Sequence, residues 1–183
     1  MNYYFDMDGV LALYEREAYE GKSALYMMKG MHYYRNVKPD DKMLNVIRML
    51  NSNIHEKPTS KIYILTSLSN QGYAYLEQYR DKVEWCKQYL PFIDTDKQFI
   101  ACVSSKRETI QELTFRDRLS YSDILIDDYN NNLIGWQDAH GTAIKYCNGI
   151  NSNDSFNGLN LTVDMSAYEI VDVLLSIDKS LKD

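Results

Sequence analysis

Five short apolar runs alternate with segments of helical periodicity along this chain, and this alternation constrains the fold most strongly. Several runs are apolar at consecutive positions, which is typical of strands buried on both faces of a parallel sheet. The helical segments between them have the length that parallel crossovers need. The sequence therefore predicts an α/β fold with a parallel sheet of about five strands and helices on both faces. The predicted strands are residues 3–5, 62–65, 99–102, 124–126 and 142–146.

Length and composition predict one domain in a reducing compartment. The 183 residues suffice for a single core over 1–183, with 14–38 as a small insertion after the first strand. The three cysteines lack metal-ligand spacing. We expect a cytoplasmic location because the first residues do not resemble a signal peptide and no apolar run approaches the length of a membrane span. The net charge of −6 disfavours nucleic-acid duplexes as partners, and we expect no membrane partner. The oligomeric state stays open.

Residues from about 70 to 89 are predicted to form a long helix. Leu76, Tyr79, Val83 and Cys86 are spaced so that they predict a single buried apolar stripe.

The first strand ends in two acids one residue apart, Asp6 and Asp8, followed by Gly9. One interpretation is a polar turn in which Gly9 supplies a permissive backbone. The other is a functional pair, because two like charges this close repel each other unless a cation lies between them. Residues i and i+2 of a strand share one face, so the spacing suits a pair that acts together.

Other predicted strands also end in polar groups. The carboxyl ends of parallel strands meet at one edge of the sheet, where ligands bind in this class of fold. Several carboxylates with almost no histidine favour Mg²⁺, which often shares its coordination shell with a substrate phosphate. A lysine and hydroxyls beside such a metal can hold phosphoryl oxygens. The residues expected to converge there are Asp6, Asp8, Thr66, Ser67, Lys106, Asp127 and Asp128.

This set has the groups that phosphoryl transfer requires. A carboxylate in line with phosphorus can act as a nucleophile and form an aspartyl-phosphate. A second acid two residues along can protonate the leaving alkoxide and then activate water. The residues alone therefore favour a phosphomonoesterase over a simple turn at the end of the first strand.

The motifs also resemble those of the haloacid dehalogenase-like (HAD) superfamily of phosphatases. Residues 6–11 match the first motif, D-x-D-x-[TV]-[LV]. Thr66 resembles the second motif, Lys106 the third, and Asp127-Asp128 the fourth. The order along the chain agrees with that family over about residues 2–147. The resemblance implies a HAD-like Rossmannoid fold with a small helical cap formed by the insertion.

Each role follows from that resemblance. Asp6 would be the nucleophile and Asp8 the general acid/base. Thr66 would hold a phosphoryl oxygen, and Lys106 would screen charge and orient Asp6. The Mg²⁺ site would consist of Asp6, the backbone carbonyl of Asp8, Asp127 and Asp128.

Within the superfamily the sequence looks most like the 5'(3')-deoxyribonucleotidase branch. The features shared with that branch are the D-M-D-G-V-L-A start, Thr66-Ser67, the Ile-Asp-Asp run, Trp136 and Asn148. The implied partner is a small phosphorylated substrate, most simply a nucleoside monophosphate. The alternatives are another small phosphate ester, a polynucleotide end, or a phosphate- or metal-binding domain without catalysis.

Three side chains have competing interpretations. Lys97 precedes the third strand whereas Lys106 follows it, so Lys106 is the preferred site lysine. Ser67 either donates to phosphate or merely ends a strand. Asn130 either binds the acidic loop or caps the next helix. The insertion also carries aromatic and Met residues that could stack on a base, although packing is the favoured interpretation: Tyr14, Tyr26, Met27, Met28, Tyr33 and Tyr34.

Overall fold

Parallel strand pairing builds the main sheet, as the apolar runs predicted. The structure is a computed structural model that describes residues 1–13, 32–55, 59–69, 72–151 and 156–180. Among these residues, six strands form one sheet in the order β5-β4-β1-β6-β7-β8, and every pairing is parallel. The strands are β1 Asn2–Phe5, β4 Lys61–Ser67, β5 Phe99–Cys102, β6 Asp123–Asp127, β7 Thr142–Cys147 and β8 Leu159–Thr162.

Helices cover both faces of this sheet. In β1 the side chains of Tyr3 and Phe5 enter one apolar core, and Tyr4 between them enters another. Two of the helices, α2 and α7, pack against each other, and α5 packs against α6. The helices are α1 Tyr33–Asn36, α2 Asp41–His55, α3 Gly72–Tyr89, α4 Thr95–Gln98, α5 Lys106–Thr114, α6 Asn130–Asp138 and α7 Ala167–Ser180. No described helix is both long and apolar enough to cross a membrane.

The strand order has a reversal that positions the site. From β1 the chain builds β4 and β5 on one side, then crosses to add β6, β7 and β8 on the other. The crevice beyond the carboxyl ends at such a reversal is where ligands bind in open parallel sheets. Phe5 is level with Ile64 of β4 and Ile126 of β6, so Asp6 leaves the sheet at its centre.

The two ends of the predicted insertion lie next to each other. Two short antiparallel strands, β2 Ala12–Leu13 and β3 Lys38–Pro39, pair directly after the first motif. Residues 14–31 lie outside the described residues, and with them Tyr14, Tyr26, Met27 and Met28. The predicted cap over 14–38 is therefore described only in its return segment, residues 32–38.

Two sequence predictions are corrected by the structure. The sheet has a sixth strand, β8, beyond the five that the sequence predicted. This strand lies at the sheet edge and is largely exposed except for Leu161, so it lacks a long apolar run. The stripe predicted for α3 is also wrong, because Leu76 and Tyr79 are exposed. The helix instead buries a mixed face: Ala74, Gln78, Asp81, Lys82, Trp85 and Cys86.

Candidate active site

The chain after β1 turns sharply and sets Asp6 and Asp8 in place. The Asp6 amide donates to the Ile126 carbonyl at 2.9 Å, which extends the β1–β6 pairing by one residue. Three successive amides, those of residues 10–12, then donate to the Met7 carbonyl and close the turn. Asp6 is buried, whereas Asp8 is partly exposed. The two acids therefore lie at the centre of the sheet edge.

Gly9 is required in this turn for two reasons. Its φ of +84° lies in the left-handed region, which strains residues that carry a side chain. A Cβ on Gly9 would also lie 2.1 Å from Oδ2 of Asp128, far inside van der Waals contact. The glycine thus lets the first motif approach the fourth closely.

Lys106 occupies the position predicted for the site lysine. Its ammonium lies 2.6 Å from Oδ1 of Asp6 and 2.6 Å from Oδ2 of Asp127, and its side chain is buried. It is the first residue of α5, which begins with a capping box between Ser105 and Glu108. The competing lysine, Lys97, is exposed and pairs with Asp94.

The acidic pair at the end of β6 is oriented by amide donors. Oδ1 of Asp127 accepts from the Tyr129 amide at 2.8 Å, and its Oδ2 accepts from Asn132 at 3.0 Å. Oδ2 of Asp128 accepts from the side chains of Asn148 at 3.2 Å and Asn151 at 2.9 Å. These asparagines fix the carboxylates without neutralising their charge.

Asn148 and Asn130 have different hydrogen-bond partners. The Asn148 side chain also donates to the Gly9 carbonyl, so it joins the first and fourth motifs. Asn130 does not cap the following helix, because Tyr129 occupies the N-cap position. Its side chain accepts from the Lys145 ammonium at 2.5 Å.

Three buried carboxylates form a cluster that fits a divalent cation. Asp6, Asp127 and Asp128 offer oxygen atoms that all lie within 4.8 Å of one another. Lys106 contacts two of the three carboxylates, Asp6 and Asp127, so its ammonium balances part of their negative charge. Hard oxygen donors of this kind suit Mg²⁺. The Asp8 side chain lies outside this cluster, and its backbone carbonyl stays the predicted ligand.

The pKa shifts report the same excess of negative charge. Burial raises the pKa of Asp6 well above its ordinary value, and the nearby acids add to this while Lys106 opposes it. Burial, assisted by the charge of Asp127, raises the pKa of Asp128 to about 7. Burial alone would lower the pKa of Lys106, but Asp127 and Asp6 hold it above the ordinary lysine value. Without a metal the site therefore favours bound protons.

We expect the metal-free protein to lose stability as the pH rises from 5 to 7.5. The folded state holds the Asp128 proton up to about pH 7, whereas the unfolded chain loses it near the ordinary value of 3.8. Between these values the folded state binds more protons, so the free energy of unfolding falls with rising pH, by up to ~1.4 kcal/mol per pH unit for one such group.

Urea unfolding midpoints at both pH values, in EDTA and in excess Mg²⁺, measure this effect. Mg²⁺ should remove most of the decrease, because it binds the ionised carboxylates. Asp128→Asn in EDTA should show a shallower dependence on pH than the wild type. An unfolding midpoint in EDTA that is constant or rises with pH would contradict the electrostatic description of the site.

The second motif lies on the opposite side of Asp6 from the acidic pair. Thr66 is buried near the end of β4, and Ser67 after it is exposed. Ser67 is level with Cys102 of β5, and its hydroxyl lies 3.6 Å from the Cys102 sulfur. Thr66 on β4 and the acidic pair on β6 thus flank the strand end that carries Asp6, whereas the Ser67 hydroxyl lies against β5.

A second site lysine, Lys82, was missed from the sequence. It lies on α3, is completely buried, and its ammonium is 2.5 Å from Oδ2 of Asp8. The available signal was the helical spacing of Gln78, Asp81, Lys82 and Trp85, which places the lysine on the same face as a tryptophan. The predicted apolar stripe of this helix consisted of other residues, so Lys82 was not expected to be buried.

Solved structures share this fold. D,D-heptose 1,7-bisphosphate phosphatase from Burkholderia thailandensis superposes with a TM-score of 0.62 at 11% identity, covering 96% of this chain and 98% of that one. The enzyme of the same name from B. bronchiseptica, complexed with magnesium and phosphate, gives a TM-score of 0.57 at 12% identity, covering 96% and 98%. A HAD-superfamily hydrolase from Ehrlichia chaffeensis gives 0.55 at 13% identity, covering 96% of each chain.

These likenesses show the fold alone: this chain shares its α/β fold with two heptose bisphosphate phosphatases and a HAD-superfamily hydrolase. The sequence matches no protein-family model, and a search of curated proteins gives no match either. The activity therefore has to be argued from the site itself.

Proposed function

We propose that this protein is a Mg²⁺-dependent phosphomonoesterase that works through an aspartyl-phosphate on Asp6. The observation that carries this proposal is the position of Asp6. Its carboxylate lies at the centre of the strand ends, against Lys106 and the acids Asp127 and Asp128. Phosphoryl transfer needs mainly positioning and charge neutralisation around the transferred group, and these residues can provide both.

The residues that would hold Mg²⁺ are Asp6, Asp127 and Asp128, with the backbone carbonyl of Asp8. When bound, the ion would neutralise charge on the phosphoryl oxygens. The clustering of three buried carboxylates around one lysine supports this assignment. One neighbour of the same fold is a complex with magnesium and phosphate, which adds support from the fold.

In the first step an Asp6 carboxylate oxygen attacks phosphorus and the bond from phosphorus to the ester oxygen breaks. Asp8 donates a proton to the departing oxygen, which leaves as an alcohol. Thr66, Ser67 and Lys106 hold the phosphoryl oxygens during the transfer. The product on the enzyme is a mixed anhydride between phosphate and the Asp6 carboxylate.

In the second step water attacks the phosphorus of the aspartyl-phosphate. Asp8, now ionised, takes a proton from that water, and the bond between phosphorus and the Asp6 oxygen breaks. Phosphate leaves, and both carboxyl groups return to their starting states. The sum is ester plus water giving alcohol plus phosphate, so no further reactant is required.

The proposed substrate is a nucleoside monophosphate. This part of the proposal rests on the sequence resemblance to the deoxyribonucleotidase branch. Asn148, one of the features shared with that branch, contacts both Asp128 and the Gly9 carbonyl, so it belongs to the site. Two neighbours of the same fold are named for a heptose bisphosphate, which makes a sugar phosphate the competing substrate class.

A substrate screen tests the proposal. We expect Mg²⁺-dependent hydrolysis of p-nitrophenyl phosphate, with the highest kcat/KM for a ribo- or deoxynucleoside monophosphate when sugar phosphates and 3'- or 5'-phosphorylated oligonucleotides are compared. EDTA should abolish the activity and Mg²⁺ should restore it.

The other outcomes are equally specific. A higher kcat/KM for a sugar phosphate or an oligonucleotide end would contradict the proposed nucleotide substrate but not the phosphatase activity. If no ester is hydrolysed while calorimetry detects binding of phosphate and Mg²⁺, the protein is a binding domain and the proposed enzymatic activity is wrong.

A further inference from the structure

Lys82 uses its whole hydrogen-bonding capacity within the candidate site. Its ammonium donates to Oδ2 of Asp8 at 2.5 Å, to Oγ1 of Thr66 at 2.7 Å and to the Ser67 carbonyl at 3.0 Å. An ammonium has three N–H donors and no acceptor, so these three bonds satisfy it completely. Lys82 is therefore committed to protein groups and has no donor left for a ligand.

The contact with Asp8 divides that carboxylate into two unequal oxygens. Oδ2 is held by Lys82. Oδ1 is buried and has no hydrogen-bond partner among the described residues. A buried carboxylate oxygen without a partner is costly. Since Lys82 holds Oδ2, Oδ1 is the oxygen of Asp8 that no described group engages.

The contact with Thr66 fixes a hydroxyl direction. Because the ammonium can only donate, the Thr66 oxygen must accept in this bond. The hydroxyl proton of Thr66 then points away from Lys82. This proton can be donated to an acceptor such as a phosphoryl oxygen. Lys82 therefore orients a side chain of the first motif, Asp8, and one of the second, Thr66.

The return segment of the insertion covers Lys82. The Tyr34 ring lies over the ammonium, 4.7 Å from Nζ to the ring centroid. Asp81, the preceding residue of α3, lies 3.0 Å from His32 and 3.3 Å from Arg35. These contacts exclude water from the lysine and hold α3 against the insertion, so the position of Lys82 is rigidly defined.

We propose that Lys82 is a positioning residue that acts through Asp8 in proton transfer to the leaving group. Its side chain reaches the acid and not the substrate, and it orients Oδ1 of Asp8 toward the ester oxygen. This inference rests on the proposed phosphomonoesterase activity and deepens it.

The test compares two esters that differ in their need for a proton. Dinitrophenolate is a weak base and departs without protonation, whereas phenolate is a stronger base and benefits from an acid. We expect Lys82→Met to lower kcat/KM at least ~100-fold for phenyl phosphate and about tenfold or less for 2,4-dinitrophenyl phosphate. kcat/KM is the proper quantity because it includes departure of the leaving group and excludes hydrolysis of the intermediate.

Two controls give the comparison its meaning. Lys87→Met removes an exposed lysine from the same helix, where it pairs with Glu84, and should change neither value. Asp8→Asn should show the same selective loss as Lys82→Met. If Lys82 acts through Asp8, the double variant should lose no more than Asp8→Asn alone.

The ratio of the two kcat/KM values does not depend on the fraction of a preparation that is folded. Lys82→Gln, which keeps an N–H donor, replaces Lys82→Met if that variant yields no folded protein. Equal losses for both esters, or additive losses in the double variant, would overturn the role of Lys82 while the phosphatase assignment stands. A wild type inactive on both esters would overturn the proposed function, and the role of Lys82 with it.

Discussion

Asp6→Asn should abolish turnover of p-nitrophenyl phosphate while the protein still folds. Loss of a covalent nucleophile costs a hydrolase of order 10⁶ in kcat, and we expect a decrease of at least ~10⁴-fold here. The amide cannot attack phosphorus to give the anhydride, although it has nearly the shape of the carboxylate. Steady-state kinetics at saturating Mg²⁺ measure the loss.

The fold should tolerate this change for a physical reason. Burial already disfavours the charge on Asp6, as its raised pKa reports, so a neutral group of the same size costs little. Lys106 keeps its bond to Asp127 at 2.6 Å. The matched control is Asp138→Asn, an exposed carboxylate at the end of α6, which should retain full activity. Activity near that of the wild type in Asp6→Asn would contradict the assignment of Asp6 as the nucleophile.

Lys106→Met should unfold far more easily than the wild type when no metal is present. The substitution leaves the buried Asp6 and Asp127 without their shared cation. Removing one partner of a buried ion pair costs about 3–5 kcal/mol. Urea unfolding in EDTA measures the loss, and phosphatase activity should fall with it because the lysine also orients Asp6.

Two comparisons separate this effect from the loss of any lysine. Lys97→Met removes an exposed lysine paired with Asp94, and because water screens surface pairs of this kind, its loss should change the stability little. Excess Mg²⁺ should restore part of the stability of Lys106→Met, because the ion supplies positive charge to the same carboxylates. Equal stability of the two variants in EDTA would contradict the proposed electrostatic role of Lys106.

The sheet was predictable because its buried strands are apolar on both faces. The runs at 3–5, 62–65 and 99–102 lie within or coincide with β1, β4 and β5. The edge strand β8 was not predictable from periodicity, since only Leu161 of its four residues is buried. The other edge strand, β5, was predictable because all four of its residues are apolar, whereas two of the four residues of β8 are polar.

The candidate site was predictable where its residues follow strands directly. Asp6, Thr66 and Asp127 lie at strand ends, so the parallel topology alone brings their motifs to one edge. Lys82 does not lie at a strand end. It reaches the site from the middle of α3, and its helical spacing from Trp85 is a weaker signal than a position at a strand end.

The asparagine partners of Asp128 were predictable only in part. Asn148 follows β7 and was noted through the family resemblance. Asn151 donates to the same carboxylate, yet it lies three residues further along the chain, in a segment without periodicity. Side chains that orient a carboxylate from a loop depend on the loop conformation, and short polar segments do not determine that conformation by composition.

The most direct measurement is chemical trapping of the phosphorylated residue. Wild-type protein is mixed with Mg²⁺ and substrate, quenched in acid, and treated with borohydride, which reduces an acyl phosphate to the alcohol and so converts aspartate to homoserine. Peptide mass spectrometry should find homoserine at position 6, only when substrate was present, and none in Asp6→Asn. Homoserine at another aspartate, or at no position while phosphate is released, would contradict the aspartyl-phosphate on Asp6.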